Sequence, residues 1–278
     1  LIDKKVGGVA DPKDVEARFW RETPEERRAA LMPFFWNKIA REGQIYGNAQ
    51  KGSPARITNT MKFSYPGYNE MITGAPDPRV DSNDAFFNPN VNVFEWLNGK
   101  PAFQGKIQVV GSWDRHLHIF NAERSGLPIN AGWTLIPGES LAPSQTLLNS
   151  IMSRTVRDWE NCRNDVYTFQ VALEHLRHDA PRVLFIGLGD TDEYAHGGRY
   201  DKYLTTMHIA DQSLKALWDE IQSNPQYKDR TTLVLSTDHG RGDAPDGWKS
   251  HGAKVQGSEA IWIGVIGPDT QPLGERSN

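Results

Sequence analysis

Five acidic and histidine side chains able to bind a metal lie in the last third of the sequence. Asp192 and His196 are four residues apart, Asp238 and His239 are adjacent, and His251 precedes a glycine. Carboxylate oxygen combined with imidazole nitrogen suits Zn²⁺, with Mn²⁺ or Fe as alternatives. Each pair alone is a weak signal, because an Asp that caps a turn beside a surface His is common. Their joint order favours a metal site.

Two apolar segments must position these residues. Residues 181–189 (PRVLFIGLG) end just before Asp190, and residues 231–235 (TTLVL) end just before Asp238. Apolar, β-branched segments without polar alternation predict buried parallel strands. Ligands bind beyond the carboxyl ends of such strands. We therefore expect the five residues to converge at one edge of a sheet, with Asp190 in an outer shell that orients a ligand histidine.

Ser64 is the candidate nucleophile. It directly precedes Tyr65 and Pro66, where the sequence predicts that a helix begins. The backbone N–H groups of a helix amino-terminus favour an anion such as a phosphoryl group. The commoner role of a serine here is to cap the helix, and the local sequence leaves both roles open.

The remaining elements predict an α/β fold. Further strands are expected at 106–111 and 260–267, and an amphipathic helix is expected at 200–221. Strands that alternate with helices predict a mostly parallel sheet covered by helices on both faces. We expect one domain over residues 1–278. Its first 12 residues form an exposed lead-in, and residues 75–143 form a loop-rich insertion near the active site.

Composition narrows the class of function. The chain has 278 residues and a formal net charge of −4, which argues against a general nucleic-acid binder and against a partner such as a nucleic-acid duplex. No apolar run approaches the roughly 20 residues that a membrane span needs. Cys162 is the single cysteine, so an internal disulfide is excluded. The oligomeric state does not follow from the sequence.

The order of these motifs resembles the nucleotide pyrophosphatase/phosphodiesterase branch of the alkaline phosphatase superfamily. That branch has a Thr or Ser nucleophile before Phe-Pro, which residues 64–66 match, and a later Thr-Gly, which residues 73–74 match. Its Asp-x-x-Gly-His motif is matched at 192–196 with Ala in place of Gly. Its Asp-His-Gly and its late His-Gly are matched at 238–240 and 251–252.

The resemblance covers roughly residues 55–267 and implies an alkaline-phosphatase-like α/β/α sandwich with a doubly wound, mostly parallel sheet. It implies two divalent metal ions, zinc first, with Mn or Fe as alternatives. The implied ligands form two sets: Asp192, His196 and His251 for one ion, and Asp238, His239 and the Ser64 oxygen for the other.

The resemblance also implies a reaction. Ser64 would attack phosphorus in a small phosphate ester or nucleotide, giving a phosphoserine intermediate that water hydrolyses. Relatives are often exported, so a periplasmic or secreted location is implied. The branch uses an Asn that donates to a non-bridging oxygen, and Asn83 is the candidate, with a plain turn residue as the equal alternative. Tyr65, Tyr68 and Trp113 are candidates to stack on a nucleobase or an aryl leaving group, although core packing is the commoner role.

The sequence departs from the branch in one respect. The second metal of the family takes another Asp from the end of an amino-terminal strand, before a Gly. Ile2-Asp3 has no strand before it and no Gly after it. We therefore expect the first strand and one metal ligand to be missing, the second ion to bind weakly, and activity to be poor.

Four alternatives stay open. A phosphomonoesterase would need extra positive charge, which Arg79, Arg115 or Arg124 could supply. A sulfatase is less favoured, because Tyr68 stands where the sulfatase pattern has Arg. A phosphomutase is disfavoured, because no large insertion lies between Ser64 and Asp192. The missing Asp motivates a non-catalytic metal-binding protein as the alternative from another class.

Overall fold

The structure is a computed structural model that describes residues 5–277 of the chain. Helices and strands are interspersed along these residues. Ile2-Asp3 therefore lies outside the described residues. The helices are α1 (Pro12–Phe19), α2 (Pro24–Leu31), α3 (Ala40–Glu42), α4 (Ser64–Thr73), α5 (Val93–Asn98), α6 (His116–Ile119), α7 (Pro143–Met152), α8 (Asp165–His178), α9 (Asp190–His196) and α10 (Tyr200–Ser223). The strands are β1 (Gln44–Tyr46), β2 (Ala55–Arg56), β3 (Ile107–Gly111), β4 (Ile129–Ala131), β5 (Val183–Gly187), β6 (Leu233–Ser236), β7 (Ala260–Ile261), β8 (Ile263–Ile266) and β9 (Gly274–Glu275).

These elements fall into two compact units. The second unit is Ser64–Asp190, and the first unit comprises the described residues on either side of it in the sequence. No helix in the described part of the chain is long and apolar enough to cross a membrane.

A parallel three-stranded sheet organises the second unit. Its strand order is β4-β3-β5, and Val109 of β3 lies opposite Ile129 and Phe185 in the two neighbouring strands. The strands predicted at 106–111 and 181–189 are confirmed. Residues 75–143, predicted as a loop-rich insertion, supply both β3, the middle strand, and β4.

Side chains of this sheet alternate between two hydrophobic clusters. Ile107 and Val109 pack with residues of α4 and α6, whereas Val110 packs with residues of α7 and α8. This alternation follows from the two-residue period of a strand. All three side chains are fully buried, and each contributes about 1.5–3 kcal/mol to folding. The second unit therefore has the helix–sheet–helix layers predicted for an α/β fold.

The imidazole of His116 packs tightly against Gly111 and Gly187 of this sheet. Its Nδ1 donates to the carbonyl of Trp113 at 2.8 Å, and its buried Nε2 has no hydrogen-bond partner. A Cβ at Gly111 or Gly187 would lie 2.4 or 2.3 Å from a ring nitrogen, so both strand ends need glycine. The aromatic ring of Tyr68 packs edge-on against the imidazole. Burial lowers the pKa of His116 to about 4.

This burial predicts a loss of stability in acid. The folded-state pKa of His116 lies below the ordinary value of 6.5, so the unfolded chain binds more protons between these two pH values. The free energy of unfolding should therefore fall as the pH falls from 6.5 to 4, by about 3 kcal/mol from this group. Urea unfolding of the unaltered protein and of H116F across this range measures the difference in slope. Equal slopes in the two proteins would contradict the assignment.

The first unit is built on a different sheet. Its strand order is β6-β8-β1-β9, in which β8 runs antiparallel to both β6 and β1, and β9 runs parallel to β1. The prediction of a buried parallel strand at 231–235 is wrong in direction and burial: β6 lies at the end of this sheet, and Val234 is 63% exposed. The chain returns from β6 to β8 through a segment that contains a short 3-10 helix and β7, without the long helix of a parallel crossover.

Helices α1, α2 and α10 contribute to one hydrophobic cluster of the first unit. Phe19, Leu31 and Leu204 are buried there, and so is Val6 of the predicted lead-in. A capping box begins α2: Thr23 Oγ1 accepts from Glu26 N, and Thr23 N donates to the Glu26 carboxylate, both at 3.2 Å.

Candidate functional site

Helix α9 supplies two of the predicted ligands. Asp192 and His196 lie on the same face of this helix because residues four apart are neighbours on a helix surface. Asp192 Oδ2 lies 3.2 Å from His196 Nε2.

His251 completes a three-residue cluster from a distant loop. Its Nε2 lies 3.0 Å from His196 Nε2 and 3.6 Å from Asp192 Oδ1. One ligand atom from each of the three residues lies within 4.8 Å of the others. Tetrahedral zinc with bonds of about 2.0–2.1 Å holds its ligand atoms about 3.3 Å apart. The spacing and the mixed N/O chemistry therefore fit a single zinc ion.

Backbone carbonyls orient two of the imidazoles. His251 Nδ1 lies 3.3 Å from the carbonyl of Lys62, and His239 Nδ1 lies 2.8 Å from the carbonyl of Gly240. If each Nδ1 donates, each Nε2 carries a lone pair. Metal-binding histidines are commonly oriented by such a carbonyl. The two rings also stack, with centroids 3.8 Å apart.

The Asp238–His239 pair lies beside this cluster. His239 Nε2 is 3.5 Å from Asp238 Oδ2 and 3.8 Å from Asp192 Oδ1. The structure thus brings all five ligand-type residues together within the first unit. Their division between two ions stays a prediction.

Charge and burial prepare the cluster for a cation. Burial and the neighbouring His239 lower the pKa of His251 to about 4, so its imidazole is neutral at pH 7. Burial acts to raise the pKa of Asp192, but its hydrogen bond with His196 and the charge of Arg241 outweigh burial and hold that pKa below its usual value. A neutral imidazole beside an ionised carboxylate is the protonation state that binds a metal.

Arg241 is a site residue that the sequence analysis missed. Its guanidinium donates to Asp192 Oδ1 and, at 3.1 Å, to the Asp192 carbonyl. The signal in the sequence was its place directly after Asp238-His239-Gly240, but an arginine there predicts no particular partner.

Ser64 and Asn83 are neighbours within the second unit. Ser64 is the first residue of α4, and Asn83 Oδ1 accepts from Tyr65 N at 2.9 Å, so the Asn83 side chain caps the same helix start. Arg115 Nε donates to the Asn83 carbonyl at 3.1 Å.

The aromatic candidates for substrate contact lie mainly in the core. Tyr65 is fully buried, its hydroxyl donates to the carbonyl of Phe86 at 2.7 Å, and its ring stacks on Phe86. Tyr68 is also buried, whereas Trp113 is half-buried against the same cluster. Burial favours the core-packing alternative for Tyr65 and Tyr68 over contact with a nucleobase.

A buried polar network lies at the carboxyl ends of the second unit's strands. Asp165 accepts from Ser112 Oγ at 2.6 Å, from Gly189 N at 2.7 Å and from Asp190 N at 3.1 Å. The fully buried Arg163 lies nearby, and burial lowers its pKa to about 10. Asp190, predicted to orient a ligand histidine, is thus held through its backbone at the start of α9.

Comparison with known proteins identifies the fold. No protein-family model matches the chain, and no curated protein matches it significantly. Among solved structures, the phosphonate monoester hydrolase from Silicibacter pomeroyi is 12% identical with a TM-score of 0.53, over 88% of this chain and 65% of that one. The phosphonoacetate hydrolase from Sinorhizobium meliloti 1021 in complex with phosphonoformate is 15% identical with a TM-score of 0.48, over 78% of this chain and 53% of that one. A Mg-bound mutant of TAB5 alkaline phosphatase is 11% identical with a TM-score of 0.47, over 95% of this chain and 90% of that one.

The likeness to the Silicibacter enzyme confirms the predicted fold class. The chain has a mixed α/β fold with a parallel sheet and helices, similar to the fold of that phosphonate monoester hydrolase. It spans about half the length of the phosphonoacetate hydrolase and about two thirds of the phosphonate monoester hydrolase.

The geometry of the three-residue cluster predicts how its zinc affinity responds to mutation. H251A removes one of three ligand atoms. Loss of a residue that only hydrogen-bonds a ligand weakens metal binding by roughly 10–100-fold, so loss of the ligand itself should weaken zinc binding by at least about 100-fold. H178A is the matched control, because the His178 side chain is half-exposed on α8 and pairs with Glu174. Competition with a chromogenic chelator measures both affinities and the number of tightly bound ions, which we expect to be one per chain. Equal affinities in H251A and H178A would exclude His251 as a ligand.

Proposed function

We propose that this protein is a metal-dependent phosphoric ester hydrolase of the phosphodiesterase/nucleotide pyrophosphatase type. The observation that carries the proposal is the convergence of Asp192, His196 and His251, from two distant segments, on a space that fits one zinc ion. The motif order from Ser64 to His251 supplies the reaction class, and the alkaline-phosphatase-like fold agrees with it.

Ser64 is the proposed nucleophile. Its Oγ attacks phosphorus, the bond from phosphorus to the leaving oxygen breaks, and water later cleaves the resulting phosphoserine. Support comes from its position as the first residue of α4, where backbone N–H groups favour a phosphoryl anion. Asn83 caps the same helix start and is the proposed donor to a non-bridging oxygen.

Two divalent ions, zinc first, are proposed at the five-residue cluster. When bound, they would stabilise negative charge on the reacting oxygens and lower the pKa of a bound hydroxyl or water. Asp192, His196 and His251 would hold the first ion, and Asp238 and His239 would contribute to the second. The second set offers fewer side-chain ligands in the described residues, so we propose that the second ion binds more weakly and that activity is low.

The three candidate arginines of the second unit bear on the substrate class. Each of the three candidates already pairs with a carboxylate: Arg79 with Asp77, Arg115 with Asp114, and Arg124 with Glu95. In each pair the carboxylate offsets the positive charge of the guanidinium, so the pair attracts a dianionic monoester only weakly. This pattern favours a singly charged diester. Arg115 also contacts the Asn83 carbonyl, which keeps a phosphomonoesterase as the second candidate.

Loss of the Ser64 hydroxyl tests the proposed mechanism. With zinc supplied, S64A should lose at least about 10³-fold in hydrolysis of bis(p-nitrophenyl) phosphate, because no other group replaces the nucleophile. S153A is the matched control, because Ser153 is exposed at the end of α7. Turnover in S64A equal to that of S153A would rule out Ser64 as the nucleophile.

The same assay separates the candidate activities. Faster cleavage of the bis-aryl phosphate than of p-nitrophenyl phosphate supports the diesterase, and the reverse supports the monoesterase. Zinc binding without turnover of either ester or of an aryl sulfate would point to a non-catalytic metal-binding protein.

A further inference from the structure

The guanidinium of Arg241 joins the segments that carry the cluster. It donates to Asp192 Oδ1, to the Asp192 carbonyl at 3.1 Å and to the Trp248 carbonyl at 3.1 Å. Its side chain is only 12% exposed. One planar group therefore holds α9, which carries Asp192, against the segment that leads to His251.

The backbone on each side of Arg241 is fixed as well. Gly240 N donates to the Ser258 carbonyl at 2.8 Å, and Gly242 N donates to the Ser250 carbonyl at 3.1 Å. A Cβ at Gly240 would lie 2.2 Å from the Gly257 carbonyl, so this close approach requires glycine. Arg241 thus extends from a backbone that is itself bonded to the His251 loop.

This arrangement gives the two oxygens of Asp192 different partners. Oδ1 accepts from Arg241 and lies 3.6 Å from His251 Nε2, whereas Oδ2 lies 3.2 Å from His196 Nε2. The rigid guanidinium acts as a fork: Nη2 donates to one carboxylate oxygen and to the carbonyl of Asp192, and Nη1 donates to the Trp248 carbonyl. This fixes the plane of the carboxylate. Oδ2 is then the oxygen presented to the side of the cluster where His196 lies.

We propose that Arg241 is a positioning residue that sets the metal preference of the cluster by keeping Asp192 a one-oxygen ligand. One oxygen and two imidazole nitrogens suit four-coordinate zinc, whereas Mn²⁺ favours sites with more oxygen ligands. If Asp192 could turn and bind through both oxygens, zinc would lose part of this advantage. The inference rests on the metal site of the proposed function.

The positive charge of Arg241 has a separate effect. It opposes any divalent ion nearby, and it does so equally for Zn²⁺ and Mn²⁺. The ratio of the two affinities therefore cancels the effect of charge and isolates the effect of carboxylate geometry.

The test measures zinc and manganese dissociation constants by chelator competition and calorimetry on the full chain. R241M removes the fork and the charge, and R241K keeps the charge but cannot hold three oxygens in one plane. R199M is the matched control, because Arg199 makes a forked pair with Asp201 at 3.0 and 2.8 Å, apart from the five ligand-type residues. We expect the preference for zinc over manganese to fall at least about tenfold in R241M, to fall less in R241K, and to stay unchanged in R199M.

The outcomes separate the two proposals. An unchanged preference in R241M, or a preference in R241K equal to that of the unaltered protein, would overturn the role of Arg241 and leave the metal site intact. If the unaltered protein binds neither ion, the proposed metal site fails and this inference fails with it. Circular dichroism establishes that each variant is folded, and R241K alone decides the matter if R241M is not.

Discussion

The carboxylate of Asp192 is the group on which the candidate site depends. It faces the imidazoles of His196, His239 and His251 and accepts from the Arg241 guanidinium. In a half-buried cluster, an unpaired carboxylate would be costly and would tend to take up a proton. Arginine and histidine partners keep it ionised, and an ionised oxygen beside the neutral imidazole of His251 suits a zinc ion. Removing Asp192 would leave the other groups without a common partner.

Other parts of the first unit fix the positions of this carboxylate and of the histidines that face it. Helix α9 sets Asp192 and His196 one turn apart, while carbonyls of Lys62 and Gly240 fix the rings of His251 and His239. None of these supports uses a long, flexible side chain. In the second unit, a buried parallel sheet and the Asp165 network hold the strand ends, and Asn83 caps the helix that begins at Ser64.

Much of this organisation follows from the sequence, and the rest has identifiable reasons for being missed. Local patterns are predictable from the sequence. The apolar runs of β3 and β5 are such patterns, and so is the capping box at Thr23. The direction of β6 was not, because an apolar run does not reveal whether its partner returns through a helix or a loop. The role of Arg241 was hidden for a similar reason: its partner Asp192 lies 49 residues earlier in the chain. The two roles considered for Tyr65, core packing and substrate contact, could not be separated, because an aromatic residue beside a serine at a helix start has the same sequence pattern in a core as in a pocket.

The most direct test of the central claim is anomalous X-ray scattering from crystals of the protein grown with zinc. Data collected above and below the zinc absorption edge locate the ion without reference to activity. A zinc-specific peak within about 2.0–2.2 Å of an Asp192 oxygen and of the Nε2 atoms of His196 and His251 is the predicted result. Crystals that contain zinc elsewhere but show no peak among these three side chains would contradict the account.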